Sequence, residues 1–177
     1  MSATGWRPTC CPTTRAGVAR VTRWPPPSTS GREDKVTGVS ETVLLKKVSL
    51  AETAVNNRRG GEIRVLLSPR TTETSSGFMG MLTLRPGEYV SEHYHPYSEE
   101  FFFVSRGAVV VRINGEQELE LAAGEGIVIP KNARHRVMNR GEDEAFAIFH
   151  MCPLAPRPEL GHVDTEPYPG DAAEVAS

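Results

Sequence analysis

The sequence predicts an all-β domain, a sandwich or barrel of short antiparallel strands, and three observations carry that expectation. From Glu62 onward, short apolar runs alternate with turn residues at intervals of roughly eight to twelve positions. Asn114-Gly115 separates Val109-Val110-Val111-Arg112-Ile113 from Glu118-Leu119-Glu120-Leu121, and this residue pair tolerates the positive φ angles of a type I′ hairpin turn. No stretch of this region carries the 3.6-residue apolar periodicity of a long amphipathic helix.

Residues 1–40 contain Trp24-Pro25-Pro26-Pro27 and Ser28-Thr29-Ser30-Gly31 without periodicity, and read as a disordered basic leader. Glu41–Ala54 is compatible with one helical turn or with a first strand. Strands are then expected at Ile63–Leu67, Phe78–Leu84, Tyr89–His95, Phe101–Ser105, Ala108–Ile113, Glu118–Leu121, Ile127–Ile129, Arg134–Met138 and Ala145–His150. Pro86-Gly87, Arg106-Gly107, Ala123-Gly124 and Arg140-Gly141 supply the turns between them. Beyond His150, Pro153, Pro156, Pro158, Pro167 and Pro169 remove the amide donors a ladder needs, so this end is not a central strand. Leu160-Gly161-His162-Val163-Asp164-Thr165 is nevertheless too specific in composition for filler. The expected organisation is a leader over 1–40, a barrel over 41–155 and a Pro-rich tail over 156–177.

A chain of 177 residues fits one such domain with tails. It has no apolar run long enough to span a bilayer as a helix, and its beginning lacks the apolar stretch of a secretory signal. The net charge of −2 gives a nucleic-acid role no support. The charge is unevenly spread: residues 1–35 hold six basic and two acidic side chains, the remainder 14 basic and 20 acidic. Cys10 and Cys11 are adjacent and Cys152 stands alone, which is no disulfide framework and implies a reducing, cytoplasmic compartment.

The chemistry lies in the histidines. His93 and His95 are two apart in one strand and so share a face. Glu99 or Glu100 follows on the next strand, and His135 begins a later one. Three imidazoles with a carboxylate suit a divalent metal such as zinc, iron, manganese, nickel or copper. A single histidine near a turn reads equally well as a satisfied polar group, but the pair in one strand favours ligation. His150 has two readings, support of that site from the last strand or a structural role beside Cys152. Tyr94, Tyr97, Met81 and Met138 are cavity-wall or core candidates. Arg58 and Arg59 read as solvated loop charges, or as a steering pair for an anionic partner.

The spacing Gly87, five residues, His93-Tyr94-His95, four residues, Glu100, six residues, Gly107 resembles the first cupin motif. Gly124, five residues, Pro130, four residues, His135, three residues, Asn139 resembles the second, 16 residues further on. One position departs: Asn132 stands where the motif usually has Gly, and Asn also tolerates left-handed backbone. The resemblance implies a double-stranded β-helix, or jelly-roll, barrel. Its spacing selects Glu100 over Glu99, and alternation then turns Phe102 and Val104 inward and Phe101 and Phe103 outward. Outward Phe residues call for cover, by the sandwich itself or by a second copy of the chain, and a homodimer is expected.

Asn57-Arg58-Arg59-Gly60-Gly61, Leu66-Leu67-Ser68-Pro69-Arg70-Thr71, Ser76-Gly77-Phe78-Met79-Gly80, His93-Tyr94-His95-Pro96-Tyr97-Ser98-Glu99-Glu100-Phe101 and Leu154–Glu166 narrow the likeness. They resemble the cupins of bacterial aromatic (type II) polyketide pathways, the cyclase/aromatase proteins of the tetracenomycin and resistomycin type, over about residues 55–166. That resemblance implies a metal-dependent enzyme in which His93, His95, Glu100 and His135 hold one divalent ion, zinc first among the candidates, with His93, His95 and His135 as the catalytic set. The implied substrate is a small-molecule poly-β-ketone, and a synthase or acyl carrier protein is the implied macromolecular partner. Two alternatives keep the fold: an oxygenase acting on a phenolic or diketone compound, and a non-catalytic accessory that binds a small molecule.

Overall fold

The computed structural model describes residues 45–169. The expected leader over 1–40 and the end of the tail over 170–177 lie outside the described residues. Ten strands follow one another: β1 (Glu62–Leu67), β2 (Phe78–Leu84), β3 (Tyr89–Tyr94), β4 (Glu99–Arg106), β5 (Ala108–Ile113), β6 (Gln117–Ala122), β7 (Gly126–Ile129), β8 (His135–Met138), β9 (Ala145–Cys152) and β10 (Val163–Asp164). They form two five-stranded antiparallel sheets, ordered β1-β2-β9-β4-β7 and β10-β3-β8-β5-β6. This is the expected double-stranded barrel. Of Glu41–Ala54, the described part contributes one 3₁₀ turn, Leu50–Glu52.

Period-two patterning builds each sheet. On β2, Gly80, Leu82 and Leu84 are buried while Met79, Met81 and Thr83 between them are not. On β4, Glu100, Phe102 and Val104 point inward and Glu99, Phe101, Phe103 and Ser105 outward, as alternation from Glu100 requires. Leu82, Leu84, Val90, Phe102, Val104, Val109, Val111, Leu121, Ile129 and Val137 form one core between the sheets. Each large side chain buried there contributes about 1.5–3 kcal/mol of transfer free energy.

The Asn114-Gly115 turn is present, with φ of 52° and 80° and Glu116 N–H donating to Ile113 O at 3.1 Å. The ladder resumes with Ile113 opposite Gln117, so the loop holds one residue more than a two-residue hairpin. That residue lets Asn114 dock on the start of β8: its N–H donates to Arg134 O, and its side-chain oxygen accepts from Arg134 N–H. β4 starts two residues before its expected start and β9 ends two residues after its expected end, because Glu99 and Glu100 pair with Cys152 and Met151; β4 also runs one residue further, to Arg106. An unexpected single helical turn, Pro69–Thr72, starts on a proline whose fixed φ suits a first helical position.

The largest departure from simple alternation lies in β3. Val90 opposes Val137 and His93 opposes His135, so two residues, Ser91 and Glu92, face Arg136 alone. This β-bulge changes the parity of the strand. Val90 enters the core and His93, three residues later, also faces inward, which an unbroken strand does not allow.

Leu84 is fully buried at the centre of the core. Leu84→Ala is expected to lower unfolding free energy by about 2–5 kcal/mol in chemical denaturation, whereas Leu119→Ala, on the exposed edge strand β6, is expected to change it by less than about 1 kcal/mol.

Candidate metal centre

Both sheets deliver side chains to one end of the barrel. β3 and its continuation bring His93 and His95, and β8 brings His135 directly across the ladder from His93. Glu100 comes from β4 in the opposite sheet, so the carboxylate closes on the imidazoles across the core. One ligand atom from each of the four lies within 4.8 Å of the others, and all four residues are buried.

Local backbone fixes the orientation of every ring. His93 Nδ1 lies 2.7 Å from Ser91 O, within the bulge itself. His135 Nδ1 lies 2.9 Å from Ala133 O, in the turn where Asn132 takes the left-handed φ of 63° expected of it. His95 Nδ1 lies 2.8 Å from Gly161 O, on the segment leading into β10. A carbonyl only accepts, so each Nδ1 carries a proton, and Nε2 is the atom that presents a lone pair whenever the ring is neutral. His95 lies just beyond the β3 ladder and is held by Asn132 N–H, which donates to its carbonyl at 3.0 Å.

Glu100 Oε2 sits 3.3 Å from His95 Nε2 and 3.1 Å from His135 Nε2. Glu100 Oε2 and His135 Nε2 are nevertheless buried without a hydrogen-bond partner, since their geometry is out of line for one. The Nε2 atoms of His95 and His135 thus converge on the Glu100 carboxylate, and His93 joins them, so that the neutral rings and the carboxylate offer four lone-pair donors to one point. This donor set fits a divalent cation, and a mixed nitrogen–oxygen shell suits zinc and its first-row neighbours. Backbone carbonyls behind each Nδ1 are the outer contacts that such a shell requires.

The electrostatics follow. Burial pushes the His93 imidazole well below its ordinary range, with His135 and His162 reinforcing the shift. Burial also opposes charge on Glu100 and His135, but each outweighs this for the other: the carboxyl is held far below the usual range by His135 and His95, and His135 is raised by the carboxylate.

A cavity of about 220 Å³ opens from this point. Ile63, Val65, Phe78, Leu82, Phe102, Phe149 and Met151 form its apolar wall, and Asn56, Arg59, His93, His95, Glu100 and His162 its polar end. His162 lies flat against His93, ring centroids 4.3 Å apart and planes at 17°. Its Nε2 meets Asp164 Oδ1 at 2.8 Å, and Asp164 is paired with Arg59. Burial, then the Arg59 charge, lowers His162 to about 4.

The structure thus brings His93, His95, Glu100 and His135 together and leaves several other expectations outside. His150 faces away from the cavity, beside Phe101 with ring centroids 6.0 Å apart, because β9 turns Ala147, Phe149 and Met151 inward. Its reading as a support for the site is overturned. Tyr94, Tyr97, Met81 and Met138 do not line the cavity; Met138 is buried, as its core reading has it, Met81 alternates with inward-facing Leu82, and Tyr97 is exposed. Arg59 is no solvated loop charge but a half-buried ion-pair partner on the cavity rim. Sequence reasoning missed the bulge and the roles of Gly161, His162 and Asp164. The signals were there: Val90 and His93 are both inward residues of opposite parity, and the composition of Leu160–Thr165 is distinctive.

A two-sheet jelly-roll barrel with three imidazoles and a carboxylate at one end defines a cupin, and residues 80–151 match the cupin domain family. The chain is 47% identical over 136 residues to the tetracenomycin polyketide synthase protein TcmJ of Streptomyces glaucescens, covering 77% of this chain and 91% of that one. It is 52% identical over 119 residues to the polyketide synthase CurC of Streptomyces cyaneus, covering 67% and 77%. The chain belongs to the cupin family and, within it, to the group these two proteins represent. The same fold occurs in Streptomyces PAC13, solved with uridine, at a TM-score of 0.59 and 16% identity over 73% of this chain and 97% of that one.

In the metal-free chain, imidazole resonances followed by NMR against pH are expected to separate three ways. His135 should titrate above the ordinary 6.5, His162 near 4, and His93 should stay neutral well below 6.5. The unfolded chain then binds more protons than the folded one at His162 between pH 6.5 and about 4, and at His93 as pH falls below 6.5, so both cost stability on acidification. His135 has the opposite sign, its contribution being lost as pH rises above 6.5.

Proposed function

We propose that this chain is a metal-dependent cyclase/aromatase of bacterial aromatic polyketide biosynthesis, acting on a poly-β-ketone intermediate by enolisation, intramolecular aldol closure and loss of water. The observation that carries this reading is the convergence of three Nδ1-anchored imidazoles and a buried carboxylate at the end of a largely apolar, open-mouthed cavity. The names of the two Streptomyces relatives support its assignment to polyketide biosynthesis.

His93, His95, His135 and Glu100 would hold one divalent ion, with zinc first among the candidates. When bound, such an ion polarises a ketone oxygen or acidifies a bound water. The remaining work falls to the chain itself. Ile63, Val65, Phe78 and Phe149 exclude bulk water and press the carbon chain into a bent conformation, which removes much of the entropy of finding one ring closure. The volume of about 220 Å³ is half as large again as the roughly 150 Å³ of a cavity that accepts benzene. One ring-forming stretch fits inside, and a longer intermediate extends beyond the pocket. Ring position is then set by the wall and not by the ligands. Exposed Arg58 is available to a synthase or acyl carrier protein.

The test is a reconstitution in which the zinc-loaded chain receives a poly-β-ketone released by a type II synthase, with products followed by mass spectrometry. The reading expects the same cyclised aromatic product with and without oxygen, and at least a 100-fold loss of it after chelation or in His93→Ala/His95→Ala. A product that needs oxygen favours the oxygenase, and a product pattern unchanged without metal favours the accessory role; either rejects the cyclase.

The outer face of the β1-β2-β9-β4-β7 sheet leaves Phe101, Phe103 and Val128 exposed at 43%, 43% and 49% in the single chain. We assign this face to a homodimer, in a cytoplasmic protein whose described residues include a free thiol, Cys152. Sedimentation equilibrium at micromolar concentration is expected to give twice the chain mass, and Phe101→Glu/Phe103→Glu to give the monomer. A wild-type monomer refutes the assignment.

A further inference from the structure

The segment Gly161–Tyr168 crosses the metal end of the barrel as a strap. Its two-residue strand β10 sets Asp164 opposite His93 on β3. The strap also supplies hydrogen bonds that the β3 bulge leaves open: Thr165 N–H donates to Glu92 O at 2.9 Å, and Glu92 N–H donates to the Glu166 carboxylate at 2.7 Å. Gly161 O accepts from His95 Nδ1, and the next residue, His162, lies flat on His93. Two of the three converging imidazoles are therefore oriented by consecutive residues of this one segment.

Asp164 holds that arrangement. Its Oδ1 accepts from Arg59 Nε at 2.9 Å and from His162 Nε2 at 2.8 Å. Its Oδ2 accepts from Arg59 Nη2 at 3.3 Å and from Tyr168 Oη at 2.8 Å. A carboxylate offers about four lone-pair sites, and all are used here, two of them in a fork with Arg59. The ring of His162 is consequently tied at Nε2 and cannot turn away from His93. Nor is His162 a fifth member of the cluster. It is not among the four residues whose ligand atoms converge, and its Nε2 is already spent on Asp164.

We propose that Asp164 is a positioning residue of the metal centre, acting through His162 on His93 and through the strap on His95, so that breaking its contacts lets the bound ion escape faster. The proposal rests on the metal-holding part of the function proposed above, but not on the reaction. Groups oriented behind metal-ligating histidines typically change metal affinity by about 10–100-fold when removed.

The experiment loads the metal-free full-length chain with Co²⁺ and follows loss of its visible absorption after mixing with excess chelator. Asp164→Asn and His162→Phe are each expected to speed release about 10-fold and to shift the cobalt spectrum. The double variant should release no more than about twice as fast as the faster single one, because both changes interrupt one path. Tyr168→Phe, which keeps three of the four hydrogen bonds, should speed release about threefold, and it provides the reading if Asp164→Asn does not fold. Wild-type release rates in both Asp164→Asn and Tyr168→Phe overturn the proposal, as do Asp164→Asn and His162→Phe effects that multiply fully. A lowered melting temperature with an unchanged spectrum and rate assigns Asp164 to fold stability alone and overturns it too. A wild-type chain that binds cobalt but cyclises nothing overturns the proposed reaction and leaves Asp164 in its role. A wild-type chain that takes up no cobalt overturns the metal centre and this proposal together.

Discussion

Three imidazoles and a carboxylate, held within 4.8 Å of one another and out of water, demand positive charge among them, whether a proton on His135 or a metal ion. The rest of the barrel is arranged around that constraint. Without that charge such a cluster is among the least favourable contents a protein interior can have, since each buried polar atom without a partner costs on the order of 1–3 kcal/mol. Glu100 Oε2 and His135 Nε2 are two such atoms here, set in a fold whose other interior positions are filled mainly by aliphatic and aromatic side chains. The same feature that burdens folding of the empty chain makes the centre a strong receptor for a cation.

Rigidity comes from the backbone. Each Nδ1 is tied to a carbonyl, and each carbonyl sits on an irregular element: the bulge at Ser91, the left-handed turn before His135, and the strap at Gly161. Irregular elements have carbonyls to spare, because a regular ladder uses them for strand pairing. Glu100 lies instead in a regular stretch of β4, where pairing with β7 and β9 on both sides holds it in place. Ordered strands thus carry the carboxylate, and the departures from order aim the imidazoles. The apolar wall behind them adds a dry volume, which strengthens electrostatic effects at the polar end.

Much of this was legible in residues alone. The strands from Phe78 to Met138 were visible because alternation and turn residues act over a few positions, and once the motif resemblance had selected Glu100, inward Phe102 and Val104 followed from the side-chain period of two. The pairing of His93 with His95 was legible for the same reason. The bulge was not, although Val90 and His93 contained it implicitly, because an extra residue in one strand has meaning only against its partner β8. The segment holding His162 stood out but its role did not, because that role depends on where a Pro-rich segment docks, a matter decided 66 residues away from His95 in the chain. Arg59 was misread for a related cause: a charged side chain in a Gly-flanked loop looks solvated until Asp164 is brought to it from 105 residues further on.

Local chemistry in the chain therefore settled the all-β class, the hairpin at Asn114-Gly115 and the histidines of the converging set, since each rests on short-range periodicity, turn stereochemistry or donor type, while the choice of Glu100 over Glu99 came from the resemblance to the cupin motif. Tertiary structure alone decided that Glu100 approaches from the opposite sheet, that His150 faces outward, and that the strap supports His93 and His95. Those outcomes depend on pairing between segments distant in sequence. Their register follows from burying two apolar faces at once while leaving few backbone groups unpaired, a condition met by the whole barrel and by no single stretch of it.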